Sequence, residues 1–246
     1  MSAWSGIKTI AKRELAAYFD APIAYVFIVI FLLLAGFFTF TFGAFFERGE
    51  ASLVSFFSWH PWLYLFLVPA VGMRLWAEER RLGTMELLMT MPIAPWQAIV
   101  GKFLASWIFI GIALLLTFPV IITVNWLGNP DNGVIIAGYI GSLFMAGAYL
   151  AIASMTSALS RNQVVSFVLA VMICLALIMV GFNPVTTLMA RWASPAFIEA
   201  IAAFSVMTHF DGVVKGVLDF KDVVYFASVI GFGLFTTGVI IRSQRA

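Results

Sequence analysis

The sequence predicts an all-α polytopic membrane protein with six transmembrane helices, an N-terminal interfacial helix and an outer-face helical hairpin before the last span. Three observations carry that expectation. Of 246 residues, 63% are hydrophobic and only 11% are charged, whereas a soluble globular domain carries about 25% charged residues. Uncharged runs recur at the length of a membrane crossing, for which about 20 apolar residues suffice. Lys and Arg gather on one side of those runs.

Each element follows in chain order. Trp4, Ile7, Ala11, Leu15 and Tyr18 share one face at helical spacing, with Lys8, Lys12 and Arg13 off it. This predicts an amphipathic helix over 1–20, lying in the interface with its basic side chains toward anionic headgroups. Asp20-Ala21-Pro22 breaks the chain and restarts it. Uncharged runs then occupy 21–46, 51–73, 103–130, 132–160, part of 162–190, and 223–241. The first is too long for the apolar stretch of a secretory leader. Pro119 predicts a kink in the third run, and Gly138, Ser142 and Ala146 form a small-residue ridge in the fourth, suited to close helix packing. The segment 183–222 is too polar to cross and too apolar to be a free loop. Phe197, Ile201, Phe204 and Met207 predict a short helix dipping into the outer leaflet, after which His209, Asp211, Lys215, Asp219 and Lys221 return to water.

With six spans, both termini share a side. That side collects Lys8, Lys12, Arg13, Arg74, Arg80, Arg81, Lys102, Arg161, Arg242 and Arg245, against Arg48, Arg191, Lys215 and Lys221 opposite. The positive-inside rule makes the first side, with both termini, cytoplasmic. Residues 1–246 read as a single transmembrane domain, without repeats or a linker.

Several classes of chemistry lack their residues. Cys174 is the sole cysteine and lies in an apolar run, which reads as a small buried hydrophobe and rules out an intrachain disulfide. His60 and His209 are the only histidines, and no spacing resembles a metal motif. His60 beside Pro61 reads as a satisfied interfacial side chain. Gly101-Lys102 lacks the upstream glycine and the following Ser or Thr of a phosphate-binding loop. The net charge of +2 does not suggest nucleic acid. No cofactor is expected in this chain.

One stretch stands apart: Glu78 to Pro95, EERRLGTMELLMTMPIAP, the only dense cluster of charge. Gly83 permits a turn, Thr84 is a candidate N-cap and Glu86 falls in the first turn, where the helix dipole favours an acid. Met85, Leu88 and Met89 share a face, and Pro92 ends the helix. Two apolar turns are unstable alone, so the helix requires lipid on one side and a partner pocket on the other. The bland alternative is a charged loop that only fixes topology, with Glu78, Glu79, Arg80 and Arg81 pairing among themselves and with Arg74. Exposed pairs of that kind contribute under about 1 kcal/mol each, and the Met and Leu side chains suit an adaptable docking surface.

EERRLGTMELLMTMPI followed by IVGKFLA at 99–105 resembles the cytoplasmic loop of type 2 ABC-transporter permeases, and the likeness extends along the chain. The segment from His209 through Asp211-Gly212-Val213 to Asp219-Phe220-Lys221-Asp222-Val223 resembles the gliding-motility-type subgroup. The resemblance implies a transmembrane subunit of an exporter-type complex. It would pair with a second, identical or sister permease and with two copies of a cytoplasmic ABC ATPase that carries ATP and Mg. Glu78, Glu79, Arg80, Arg81, Gly83, Thr84, Met85, Glu86, Leu88 and Met89 would then form the ATPase-coupling site, with the N-terminal helix against the same subunit and the first and fifth spans at the permease seam. This chain itself would not be an enzyme. An ion channel or secondary carrier is the rival class, but such proteins usually keep an ionisable residue inside a span, and the middles of these runs have none. That favours an external energy source and a lipid-linked or amphipathic cargo. A permease that transmits force to an envelope assembly is a further alternative.

Overall fold

The computed structural model describes residues 3–85, 94–191 and 193–243. Among the described residues all regular structure is helical. Helix α1 (Ala3–Asp20) leads into α2 (Pro22–Phe37), which ends in a π-helical turn over Phe38–Phe42. Three short helices follow, α3 (Val54–Ser58), α4 (His60–Gly72) and α5 (Arg74–Leu82). Then come α6 (Pro95–Leu115), α7 (Phe118–Leu127), α8 (Asn132–Leu159) and α9 (Gln163–Met179). The short α10 (Asn183–Met189), α11 (Pro195–Ala202) and α12 (Val206–Val214) precede the final α13 (Phe220–Ser243).

Local chemistry sets the starts. Pro sits in the first turn of α2, α4, α6, α7, α10 and α11, where its missing N–H costs nothing. Asp131 accepts from the Gly133 and Val134 amides to cap α8, and Asn162 accepts from the Val164 amide to cap α9. Pro119 ends the straight run of α6: the helix breaks at Leu116–Thr117 and restarts as α7, as the sequence predicts.

Among the described residues, four stretches are long and apolar enough to cross a membrane: Pro22–Phe42, Pro95–Leu127, Asn132–Leu159 and Phe220–Ser243. The number rises to six when two bent pairs, α9 with α10 (65°) and α11 with α12 (75°), each count as one span. This is a polytopic α-helical membrane protein. The four stretches match the expected first, third, fourth and sixth spans, and α9 matches the fifth. The expected second span, 51–73, differs: it is broken into α3 and α4. Pro61 has no N–H to continue the ladder from α3 and instead opens α4, most of whose residues are buried.

Three further expectations need correction. Helix α6 begins two turns before Phe103, so Lys102 lies inside it and is buried. Helix α1 does not present its apolar stripe to lipid. Ile7 and Ile10 close on Gly101, Gly6 lies by Gln97, and Tyr18 stacks on Phe109 at 4.9 Å, so α1 runs alongside the first half of α6 in the same direction. Of the stripe's other members, Ala11 and Leu15 are half-buried and Trp4 is exposed. Finally, 183–222 is three short helices rather than a two-helix hairpin, with Phe197 and Ile201 on α11 and Met207 on α12. Of the residues expected to return to water, His209 instead turns to Asp222: its Nδ1 is 2.7 Å from Asp222 Oδ1, and Asp222 is buried.

The core is organised by α8. Glycines along it admit its neighbours closely: Gly138 faces Phe57, Gly141 faces Val213 of α12, and Gly147 faces Trp107 and Ile230. The register shows direction. Phe57 lies by Gly138 and Gly72 by Ala153, while Ile230 lies by Gly147 and Gly233 by Ala151; α4 and α13 therefore both run parallel to α8. Trp107 Nε1 donates to Leu143 O and Thr117 bonds Tyr139, so α6 runs antiparallel. This alternation is what an expected second, fourth and sixth span in one direction and a third in the other require. The ridge of Gly138, Ser142 and Ala146 is spent on intramolecular packing.

A Cβ at Gly233 would stand 2.9 Å from the Ala151 backbone, whereas one at Gly231 meets nothing within 4 Å. Gly233→Leu should therefore lower the thermal midpoint in detergent, at a cost of about 1–3 kcal/mol. Gly231→Leu on the same helix should leave it unchanged.

Candidate functional site

The charged stretch begins on α5, and its first turn is capped from another helix. Met73 offers no side-chain cap. Instead Ser157 Oγ of α8 accepts from both the Trp76 and Ala77 amides at 3.0 Å and donates to Met73 O at 2.8 Å. One hydroxyl thus satisfies two of the free amides that any helix start leaves. Trp76 Nε1 donates to Ser154 Oγ at 3.0 Å, one turn earlier on α8, and Arg80 donates to Ala158 O. Helix α5 is fastened to the end of α8 along its length.

Beneath it lies the only charge between Leu87 and Pro130, Lys102. Its ammonium is 2.9 Å from Glu79 Oε1 of α5 and 3.3 Å from Glu14 Oε2 of α1, and its side chain is 6% exposed. The Trp76 ring lies 5.6 Å away and adds cation–π attraction. A lysine this buried requires paired anions to stay charged, and the two acids come from two different helices. Arg13 pairs with Glu14 at 3.0 Å on the outer side. Tyr18 bonds Ser106 Oγ of α6 at 2.9 Å, one turn beyond Lys102; burial pushes its hydroxyl up to about 12, so it remains protonated. Glu79 Oε2 is buried and has no hydrogen-bond partner. Three helices, α1, α5 and α6, meet at one ammonium.

The residues predicted from the loop fall into three groups. Glu79 and Arg80 point inward, the first to Lys102 and the second to α8; burial and, secondly, the charge of Arg161 push Arg80 below its ordinary value. Arg74 and Glu78 form the i,i+4 pair expected of them, at a loose 3.8 Å. Arg81, Gly83 and Thr84 are exposed, while Met85 packs partly against the core. Gly83 has φ +72° and closes α5 in the left-handed conformation, with the Thr84 amide bonded to Glu79 O at 3.0 Å; a glycine is the residue that does this without strain. The helix expected to follow, with Glu86, Leu88 and Met89, lies outside the described residues.

Sequence reasoning missed Glu14, Lys102, Trp76, Ser154 and Ser157. A signal for two of them was present: Lys102 is the lone charge of a 44-residue stretch, running from Leu87 to Pro130, and Glu14 is the only acid before Asp20. The serines carry no such mark. His60 is also not interfacial: it is fully buried, with Nδ1 bonded to Phe56 O at 2.9 Å and Nε2 unpartnered. Among the described residues no His, Cys, Asp and Glu cluster fit to hold a metal ion occurs.

The family model of the ABC-2 family transporter protein matches residues 61–237, well over half of the chain, from α4 into α13. The chain belongs to the ABC-2 transporter family. No curated protein matches it. Members of the ABC-2 family are normally non-catalytic transmembrane subunits, and the family implies an ABC ATPase partner in general. The match contains Glu79, Lys102, Ser154 and Ser157, while Glu14, the third charge at the ionic centre, lies before it.

Lys102→Met would leave Glu14 and Glu79 facing each other with no cation. Breaking a buried pair costs 3–5 kcal/mol. The acids keep about a fifth of their surface, so the lower end, about 3 kcal/mol, is expected. The combined Lys102→Met, Glu14→Gln, Glu79→Gln variant should recover most of that loss. Thermal unfolding in detergent reads both, and a single variant as stable as the parent would remove Lys102 from this role.

Proposed function

We propose that this chain is the transmembrane subunit of an exporter-type ABC complex in a bacterial inner membrane, with both termini cytoplasmic, and that the 78–95 loop receives force from a separate ATPase. The observation that carries this reading is the anchoring of α5. Its inner face is fixed by Glu79 to Lys102 of α6 and by Ser157 and Ser154 of α8, while its outer end offers Arg81, Leu82, Gly83 and Thr84 to solvent. A load applied to that outer end is delivered through buried, charge-assisted contacts to two spanning helices and, through Glu14, to α1. A loop that only fixed topology would need no such root.

In this reading ATP and Mg are bound by the partner, two copies of which face a pair of permeases. The coupling surface comprises Arg81, Gly83, Thr84 and Met85 with Glu86, Leu88 and Met89, and Glu79 and Arg80 hold it in place. The cargo is lipid-linked or amphipathic, in keeping with largely apolar outer faces on α2 and α9. Within the gliding-motility-type subgroup, transmitting force to an envelope assembly would use the same root.

Purification of the tagged chain from its host membranes in mild detergent, followed by mass spectrometry, tests this. An ABC ATPase should co-purify with the parent and be lost with Glu86→Arg at equal membrane yield. Gly83→Pro should reduce both yield and ATPase capture, because proline holds φ near −65° where +72° is needed. A chain that emerges alone and conducts ions in a planar bilayer would overturn the reading.

A further inference from the structure

A groove of about 270 Å³ runs between the start of α6 and the end of α13. Ile99 and Val100 form one wall, Leu234, Gly238 and Val239 the other, and Arg242 stands at its mouth. From Leu234 to Arg242 the helix rises about 12 Å at 1.5 Å per residue, which makes the groove an elongated apolar slot with a cation at one end. We infer that this slot seats one anionic glycerophospholipid, an acyl chain along Leu234–Val239 and the phosphate on Arg242.

Three features of the structure select that occupant. The first is depth. Asp222 and Arg242 bound the uncharged length of α13, and 20 residues rise about 30 Å, the thickness of a bilayer's hydrocarbon core. Arg242 is thereby held at headgroup level. The second is charge: Arg242 is exposed and, among the described residues, takes part in no ion pair, unlike Arg13, Arg74 and Lys102. Among the described residues, no carboxylate lines the slot to answer it. The third is Trp96, in the first turn of α6 and 45% exposed, which lines the same mouth; an indole with an apolar body and a polar N–H belongs at the membrane–water boundary. An acidic partner protein would meet Arg242 but would leave the apolar floor unfilled.

Gly238 allows a clean test of the floor. A Cβ there would meet Ile99 Cδ1 at 3.5 Å, an ordinary contact, so Gly238→Leu fills the slot without disturbing the backbone. The full chain, purified in detergent, is incubated with dioleoylphosphatidylglycerol or dioleoylphosphatidylcholine, and retained lipid is counted by native mass spectrometry. The parent should hold one phosphatidylglycerol in preference to phosphatidylcholine. Arg242→Gln should lower phosphatidylglycerol retention about five-fold, as expected for one basic residue at a membrane surface, with Arg242→Lys keeping most of it. Gly238→Leu should lower retention of both lipids. Equal retention of the two lipids by the parent would overturn the assignment, as would parent-like retention by Arg242→Gln. A change in oligomeric state with Gly238→Leu, at unchanged lipid retention, would identify the slot as a contact between copies and overturn it too.

Discussion

A single buried ammonium sets the terms for one end of this protein. Lys102 sits in a helix continuous with a membrane span, where an isolated charge costs several kcal/mol, and the fold answers with a carboxylate from each of two other helices. Neither acid can leave without exposing the cation's cost to the other. The path of α1 along α6 and the attitude of α5 over α8 are therefore not independent features. Ser157 and Ser154 reinforce the same arrangement by binding the first turn of α5 where it has no cap of its own.

At the opposite end the tie is also polar but differently built. Both ring nitrogens of His209 face acceptors, Asp222 Oδ1 at 2.7 Å and Ala203 O at 3.0 Å, while Tyr225 stacks on the ring at 4.0 Å and donates to Phe204 O. The contact to Asp222 is the shortest of the set. It joins α12 and the turn after α11 to the first turn of α13. The segment between α9 and α13 is thus held by its polar residues as much as by its apolar ones.

That contrast explains how far the sequence could be read. Span-length apolar runs, the break at Pro119 and the turn at Gly83 are local properties, decided by hydropathy, a missing N–H and the sign of one φ angle, and each is visible residue by residue. The inward use of Glu79, the burial of His209 with Asp222 and the protein-facing stripe of α1 are decided by partners 13 to 88 positions away. Polarity signals water in a linear reading; in the fold it is satisfied by another buried group. The broken second span failed for a related reason: Pro61 and Pro69 interrupt hydrogen bonding, yet α4 stays helical with most of its residues buried. For the loop, Arg81 to Thr84 are exposed and Met85 is half-buried, and the sequence held no marker for Ser154 or Ser157.

Helix α8 has one more consequence. Its most apolar window is 72% buried, against 22–33% for the other long spans, and Gly138, Gly141 and Gly147 let side chains of α3, α6, α12 and α13 press against its backbone. Of the long spans among the described residues, it therefore keeps the least surface with which to meet lipid or another chain.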